Sequence, residues 1–434
     1  MLVNRLRSAE PGESRSEGAT FHRARTLERT LLVIGVAALG FNLRGAITSL
    51  PPLFPELQDS LHLSTAAISV LAATPVICFG VVSGFAASLS RRHGEERVLL
   101  GALIALVAGL AARGAAPGSL LFPGTVLAAA AIAVMNVLLS SLIKRRWPER
   151  AGFLIGLYIT ALSVGAITAS LVSVPLWDGT GGTGVSVSLI LGWLAGPAAL
   201  GALLWLPQTR RPRAAVPASA ADPLSGPARP GPVPRVAVHR HALAWQVTAF
   251  MGIQSLLYYA VLSWLPTILR DRGASAGTAG DLLALMGVGN LAVSLFVAAI
   301  AQRMRAQYAL IVPTVAAMAL GLAGVVYLPL GSAPVWVLIL GAGQNAALSL
   351  AIFFTMARAP HAAAAASLSS LAQAVGYLLA SAGPLEVGLL HSATGSWQLP
   401  LAVLFALNAM LLVAGLLAAR PRVLPAAAPR TKGD

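Results

Sequence analysis

The chain contains twelve apolar stretches, each about long enough to cross a lipid bilayer as a helix. Six of them precede a polar segment at residues 207–240, and six follow it. In lipid, backbone polar groups must find their hydrogen bonds within each segment, so we expect all twelve stretches to be helices. They lie near residues 30–53, 65–89, 97–114, 120–143, 151–176, 186–206, 243–268, 279–302, 308–329, 334–357, 362–390 and 397–418.

Composition agrees with an all-α membrane protein. Hydrophobic residues make up 57% of the chain and charged residues only 10%, and the mean hydropathy is +0.78. A net charge of +15 would suggest a nucleic-acid partner in a soluble protein. Here the basic residues cluster in the short polar connections between apolar stretches, so we expect the lipid bilayer as partner and no nucleic acid. The single cysteine, Cys78, excludes an intramolecular disulfide.

The distribution of basic residues predicts the orientation in the membrane. Of the 30 lysines and arginines, 26 lie in the two tails and the even-numbered connections. Three lie in the odd-numbered connections, namely Arg113, Arg270 and Arg272, and the remaining one is Arg44. Basic connections stay on the cytoplasmic side, so we predict a multi-pass protein of the cytoplasmic (inner) membrane with both termini in the cytoplasm.

The two halves of the chain repeat each other at an offset of 211 residues. Pro55 matches Pro266, Ser64 matches Ser275, Arg92 matches Arg303, and Gly165 matches Gly376. We expect both serines to cap helices and both prolines to end them. The repeat predicts twelve transmembrane helices arranged in two pseudo-symmetric six-helix bundles. The boundaries are a tail at 1–29, a bundle at 30–206, a linker rich in proline and arginine at 207–240, a bundle at 241–418 and a tail at 419–434.

Arg44 lies inside the first apolar stretch, which makes it the most unusual polar residue of the chain. A guanidinium keeps its charge at physiological pH and is costly at membrane depth. No acidic residue shares its helix core, and helical spacing places Thr48 on the same face. We therefore interpret Arg44 and Thr48 as groups that bind an anionic or strongly polar solute. The alternative is an arginine that locks two helices together through backbone carbonyls.

Two further helices carry polar residues at intervals of four. Gln254 and Tyr258 lie halfway along the seventh stretch, and Gln373, Tyr377 and Ser381 lie within the eleventh. Each set lines either a cavity or a seam between helices. Isolated polar residues at depth are further binding candidates, or else interhelical hydrogen bonds. These are Asn136, Tyr158, Asn290, Gln344 and Asn345.

Other chemistries find no support in the sequence. The chain has no phosphate-binding glycine loop, its histidines lack metal-ligand spacing, and we expect no cofactor, no metal and no enzymatic activity. Proton-coupled carriers often hold a carboxylate or histidine at depth, and the nearest ones here, Glu386 and His391, fall toward a helix end. Proton coupling and oligomeric state are therefore left open.

Several motifs together resemble the major facilitator superfamily, in its cyanate/nitroimidazole transporter branch. They occur in both halves, so the resemblance covers nearly the whole membrane portion. The motifs are Asn42-Leu43-Arg44 with Thr48-Ser49, Ser90-Arg91-Arg92-His93-Gly94 with Glu96-Arg97, Arg145-Arg146-Trp147-Pro148, Trp245-Gln246-Val247, Gln254-Ser255-Leu256, Trp264-Leu265-Pro266, Gln373-Ala374-Val375-Gly376-Tyr377, Gly383-Pro384 and Ala393-Thr394-Gly395-Ser396-Trp397.

The resemblance implies a carrier with a central site between two rocking bundles. It also implies a gating loop at Arg91, Arg92, Gly94 and Arg97, although Arg91 stands where the superfamily has an acidic residue. We thus expect secondary active or facilitative transport of a small anionic or polar organic solute, such as a cyanate-like anion or a nitro-aromatic compound. The alternatives are a multidrug efflux exporter, and a membrane sensor with the same fold that does not transport.

Overall fold

The computed structural model describes residues 13–181, 184–209, 238–304 and 307–425. In these ranges the chain forms helices and short connections, and no strand is assigned. Most of the predicted linker, residues 210–237, lies outside the described residues. The same holds for residues 1–12 and 426–434 of the predicted tails.

Fifteen α-helices are assigned in the described chain. They are α1 (Glu13–Thr48), α2 (Phe54–Leu61), α3 (Thr65–His93), α4 (Glu95–Ala115), α5 (Pro117–Arg146), α6 (Ala151–Gly179), α7 (Gly184–Gly192), α8 (Ala195–Thr209), α9 (Ala242–Asp271), α10 (Ala276–Arg303), α11 (Tyr308–Tyr327), α12 (Ala333–Ala357), α13 (Ala362–Ala380), α14 (Ala382–Thr394) and α15 (Gln398–Ala418).

These helices account for all twelve predicted stretches. Helix α1 begins at Glu13, well before the apolar stretch, and a short 3-10 turn at Pro51–Leu53 joins it to α2. Eleven helical segments of the described chain are long and apolar enough to span a membrane, and α10 occupies the place of the remaining stretch. The prediction of an all-α membrane protein with pseudo-symmetric halves is confirmed.

Two predicted stretches are each broken into a pair of helices. The sixth becomes α7 and α8, and the eleventh becomes α13 and α14. In both cases a Gly-Pro pair, Gly196-Pro197 or Gly383-Pro384, lies in the first turn after the break. Proline has no N–H for the carbonyl four residues earlier, but it is tolerated in the first turn of a new helix. The break therefore falls just before each pair.

The internal repeat is visible in the helix ends. Ser64 accepts a hydrogen bond from the backbone N–H of Ala67 at 3.2 Å and caps α3. Ser275 accepts one from the N–H of Thr278 at 3.1 Å and caps α10. Both caps agree with the prediction. The prediction that both prolines end helices is wrong, because Pro55 lies in the first turn of α2 and α9 continues past Pro266 to Asp271.

The repeat also appears in helix packing. A Cβ atom added to Gly165 of α6 would collide with the backbone carbonyl of Phe41 in α1. A Cβ atom added to Gly376 of α13 would lie 3.3 Å from the backbone nitrogen of Gly252 in α9. The first and fifth spans of the first half, α1 and α6, are thus in close contact. The first and fifth spans of the second half, α9 and α13, are in close contact in the same way.

We predict that Gly165→Ala destabilises the fold by about 1–3 kcal/mol, because the added methyl group meets backbone that cannot move aside locally. Gly156→Ala is the matched control in the same helix, since a Cβ atom there meets nothing within 4 Å. It should leave stability unchanged or raise it by about 0.5–1 kcal/mol. Thermal unfolding of both variants in detergent checks the difference, and equal midpoints would contradict the packing described above.

Large apolar side chains are exposed along the outside of the helices. Phe153, Leu203, Leu320 and Val413 are between 59% and 67% exposed. A protein surrounded by water would bury such side chains, whereas lipid-facing helices expose them. The structure therefore has the surface of a membrane protein.

The helix bundle has two ends, which we call the Glu56 end and the Gly94 end. The Glu56 end carries α2, the α4–α5 turn and the α9–α10 turn, and the Gly94 end carries the α3–α4 turn and the α5–α6 turn. The first half, α1–α8, contacts the second half, α9–α15, through α3 against α13 and α14 and through α6 against α10. Cavities described next lie between these two halves.

Candidate functional site

Arg44 stands where three adjoining cavities meet between the halves. The largest has a volume of about 340 Å³, and the two smaller ones have volumes of about 30 and 40 Å³. Arg44 and Asn290 line all three. Among the described residues that line these cavities, Arg44 is the one that carries a formal charge.

Aromatic rings surround the Arg44 guanidinium. Its Cζ atom lies 4.7 Å from the centroid of the Tyr258 ring, which is cation–π distance. Tyr259, the next residue of α9, lines two of the same cavities as Arg44. In the described chain Glu95 pairs with Arg145 and Glu56 with Arg270, and no ion pair with a described carboxylate is recorded for Arg44. The guanidinium therefore presents an uncompensated positive charge to the cavities.

The 340 Å³ cavity combines one cation with aromatic and amide side chains. The ring of Phe79 in α3 lies 5.7 Å from the ring of Tyr377 and 6.4 Å from that of Tyr259, tilted to them by 55° and 52°. Lining residues from α5, α6, α12 and α13 continue toward the Gly94 end. The predicted residues that line this cavity are Arg44, Asn136, Tyr158, Asn290, Asn345, Gln373 and Tyr377.

Some of these polar side chains already bind each other. The hydroxyl of Tyr158 donates to Oδ1 of Asn136 at 2.6 Å and joins α6 to α5. Nδ2 of Asn345 donates to the backbone carbonyl of Asn290 at 2.5 Å and joins α12 to α10. Such bonds hold the cavity wall in shape. The interhelical interpretation and the binding interpretation are thus compatible for these residues, because each also faces the cavity.

Gln344 differs from the other predicted amides in its hydrogen bonding. Neither its Nε2 nor its Oε1 atom has a hydrogen-bond partner within the described chain. Its side chain is 1% exposed and lines the 40 Å³ cavity beside Arg44. Gln254 lines the same cavity but donates from Nε2 to the hydroxyl of Ser255 at 2.6 Å. A buried amide without a partner is costly, so Gln344 is suited to meet a polar guest.

Thr48 and Tyr258 line the 30 Å³ cavity together with Arg44. The Thr48 hydroxyl donates to the backbone carbonyl of Ala166 at 3.0 Å, and the carbonyl of Arg44 lies 3.2 Å away. Its one hydrogen is therefore used to hold α1 against α6. Thr48 can still accept a hydrogen bond from a solute, but it is poorly placed to donate one.

The structure adds residues that the sequence did not single out. Tyr259 and Phe79 form part of the cavity wall, as do the hydroxyl residues Ser140, Ser163 and Ser349. The Tyr258-Tyr259 pair was a usable signal, because adjacent helical residues face neighbouring directions. Phe79 gave none, since one more aromatic residue in an apolar stretch looks like core.

The predicted gating loop lies at the Gly94 end. Gly94 joins α3 to α4 with a φ of +87°, a conformation that favours glycine. Arg91, Arg92 and Arg97 are exposed. Position 91 lacks the acidic residue of the superfamily, but a carboxylate lies next to this turn. It belongs to buried Glu95, which forms an ion pair with Arg145 of α5 at 3.0 Å.

At the Glu56 end the two halves touch through side chains. Nη1 of Arg270 in α9 binds both carboxylate oxygens of Glu56 in α2 at 2.6 and 2.7 Å. The ring of Phe54 meets that of Trp264 edge-on at 5.9 Å. Ser69 of α3 contacts Gly388 of α14 closely. The central cavities are thus closed at this end.

Comparison with known proteins assigns a family. The sequence model of the Major Facilitator Superfamily matches residues 31–384. The transporter YycB of Bacillus subtilis (strain 168), itself described as uncharacterised, is 36% identical over 394 residues, 90% of this chain and 94% of that protein. The 2-nitroimidazole transporter of Escherichia coli (strain K12) is 35% identical over 91% of this chain and 96% of its own length.

A third relative and a solved structure agree. The cyanate transport protein CynX of Escherichia coli (strain K12) is 28% identical over 84% of this chain and 91% of its own length. The crystal structure of a D-xylose–proton symporter superposes with a TM-score of 0.71 at 16% identity, covering 91% of this chain and 99% of that chain. At that identity the structural likeness shows the fold.

Proposed function

The chain belongs to the Major Facilitator Superfamily, in the branch that holds the 2-nitroimidazole and cyanate transporters, and from this premise we propose that it carries a small anionic or polar organic solute. The solute crosses the cytoplasmic membrane by alternating access, with the two halves rocking about the cavities at Arg44. The chain acts as a carrier and catalyses no chemical reaction.

One observation carries this proposal: a single uncompensated arginine stands where three cavities meet between the halves. A guanidinium offers several N–H donors in one plane and so matches carboxylate-like and nitro groups well. Removing such a charge from water is costly, and an anionic guest offsets that cost. Both named relatives carry solutes with delocalised electrons, which supports the same class here.

The roles of the other residues follow from what each has left to offer. Tyr258 holds the Arg44 guanidinium in place over its ring. Phe79 and Tyr377 supply two aromatic rings, tilted to each other by 55°, either of which can pack against a planar solute. Gln344, with both amide atoms free of partners in the described chain, recognises a polar group of the solute. Asn136, Tyr158, Gln254, Asn290, Gln373 and Thr48 shape the site and contribute single hydrogen bonds.

We place the Gly94 end in the cytoplasm, because it carries most of the basic connections. Residues 30–206 and 241–418 are the two moving bundles, joined by the segment at 207–240. Gly94 and the exposed Arg91, Arg92 and Arg97 act as the cytoplasmic gating loop. The Glu95–Arg145 pair anchors this loop to α5 and supplies the carboxylate that position 91 lacks.

The test is counterflow with purified protein in liposomes. Vesicles loaded with unlabelled cyanate, 4-hydroxybenzoate or 2-nitroimidazole are challenged with the same labelled compound, next to glucose as the mismatched control. We expect counterflow for at least one delocalised compound and none for glucose. Repeating the assay with an imposed pH gradient, and with none, decides between proton-coupled and facilitative transport.

The alternatives predict different outcomes. A multidrug exporter would carry several bulky hydrophobic cations in preference to the small compounds, although a cavity lined by arginine and no carboxylate in the described chain is poorly suited to cations. A sensor would bind a compound, seen as a raised unfolding temperature, without any counterflow. Either result would refute the proposal.

A further inference from the structure

A second arginine, Arg113, is buried near the Glu56 end of the bundle. The sequence placed it in a connection, but the structure places it inside α4 with 1% of its surface exposed. Its Nε atom donates to the backbone carbonyl of Leu191 at 2.6 Å, whereas its Nη2 atom has no hydrogen-bond partner within the described chain. A buried guanidinium with free donors calls for an electron-rich partner.

Arg113 lines a small cavity of about 20 Å³, where a second group also lacks a partner. The hydroxyl of Thr125, on α5, lines the same cavity and has no hydrogen-bond partner in the described chain. Thr125 is 4% exposed. The volume suffices for about one water molecule and no organic solute. Donors from two helices therefore converge on a space that is too small for the transported compound in this conformation.

The position of this cavity connects it with the central site. Ile47 lines both this cavity and the 340 Å³ cavity, and Leu262 lines both this cavity and the 30 Å³ cavity. Single side chains thus separate Arg113 from the compartments around Arg44. The cavity is also bounded by both halves, because α9 contributes Leu262 and Ser263 while α1 to α5, with the turn between α1 and α2, contribute the rest.

The contacts that close the Glu56 end lie directly beside this cavity. Phe54 lines the cavity and also packs on Trp264. It lies two residues before Glu56, whose carboxylate binds Arg270. Separation of the halves at this end parts Phe54 from Trp264 and moves Ser263 away from Arg113. The cavity then widens toward the outside, with the Arg113 charge on its wall.

We propose that Arg113 and Thr125 form a second, outer anion site, occupied by a small monoanion when the Glu56 end is open. An anion arriving from outside meets the Arg113 guanidinium first and passes Ile47 and Leu262 to reach Arg44. In the closed conformation the site shrinks to the size of one water. This inference rests on the proposed function, because it assumes that the Glu56 end opens.

The test measures which charge of reagent reaches this cavity from outside. Cys78 is replaced by alanine, Ser263→Cys supplies a thiol on the wall opposite Arg113, and Glu56→Gln weakens the ion pair that closes this end. Intact cells are treated with an anionic sulfonatoethyl or a cationic trimethylammonioethyl methanethiosulfonate. We expect the anionic reagent to react about tenfold faster, and thiocyanate to slow it by competing for the site.

Two further variants separate charge from folding. Arg113→Gln removes the charge and should reduce the preference to about twofold or less, whereas Arg113→Lys keeps the charge and should retain it. Ala393→Cys, exposed at the same end, serves as the labelling control. An equal preference in Arg113→Gln and the parent would overturn the outer anion site. So would an unreactive Ser263→Cys in protein whose Ala393→Cys control is labelled.

Failure of this inference and failure of the proposed function are distinguishable. Counterflow of an anion without any Arg113-dependent labelling preference leaves the central carrier site intact and removes the outer site. A labelling preference without counterflow of any compound shows an opening, anion-attracting end in a protein that does not transport. The labelling assay needs no knowledge of the natural solute, so either result is decisive by itself.

Discussion

Arg44→Ala is expected to weaken binding and counterflow of the carried anion by about a hundredfold. Hydrogen bonds to charged groups contribute about 1.5–3 kcal/mol each, and a planar solute anion accepts two from a guanidinium. A loss of about 3 kcal/mol corresponds to that factor. Arg44→Lys keeps the charge but loses the second donor in plane and the contact with the Tyr258 ring, so we expect about a tenfold loss.

The same variants decide between the two interpretations of Arg44. If it binds a solute, removing an unpaired charge should leave the thermal stability of the solute-free protein unchanged or raise it. If it locks helices together, Arg44→Ala should lower that stability and reduce flux only through misfolding. Arg420→Ala, an exposed arginine after α15, is the matched control and should change neither quantity. Full counterflow in Arg44→Ala would refute the anion site.

Glu56→Arg is expected to open the Glu56 end. The partly exposed pair with Arg270 contributes up to about 1 kcal/mol, and the substitution replaces it with a like-charge repulsion of similar size. A change of about 1–2 kcal/mol shifts the balance between the two conformations about five- to thirtyfold. Spin labels on Ser60→Cys and Ala393→Cys, in the Cys78→Ala background, should report a longer distance between the halves.

The charge swap provides the control for this prediction. Glu56→Arg combined with Arg270→Glu restores an ion pair of reversed direction and should restore the shorter label distance. Arg270→Glu alone places two carboxylates together and should again open the end. If the distance between the spin labels is the same in Glu56→Arg, Arg270→Glu and the double variant as in the parent, the ion pair does not close this end. The packing of Phe54 on Trp264 would then close it alone.

Much of the architecture was predictable because the bilayer imposes a simple pattern. Apolar stretches of fixed length mark the spans, and the caps Ser64 and Ser275 mark their beginnings. The helix breaks near Trp193 and Ser381 were missed, because hydropathy does not respond to a missing backbone donor at Pro197 or Pro384. At Pro266 the opposite error occurred, because a helix end was predicted where α9 continues. A membrane helix tolerates a proline where neighbouring groups satisfy the freed backbone carbonyl.

The site was predictable where a residue was out of place and unpredictable where it was ordinary. Arg44 and the amides Gln254, Gln344 and Gln373 stood out against an apolar background, and all line the central cavities. Phe79 did not stand out. Arg113 was assigned to a connection because counting basic residues assumes that those near helix ends face water, whereas its side chain turns inward to a carbonyl of α7.

The ion pair of Glu56 and Arg270 links the closure of the Glu56 end to the ionic strength of the medium at that end. Its side chains are 16% and 25% exposed, so ions of the medium reach them. At an ionic strength of about 0.1 M, charges in water are screened over about 10 Å, and more concentrated salt screens them further. We therefore expect rising ionic strength to loosen the closed end even when no solute is present. The balance between the two orientations of the protein should then depend on the salt content of the surroundings as well as on the solute.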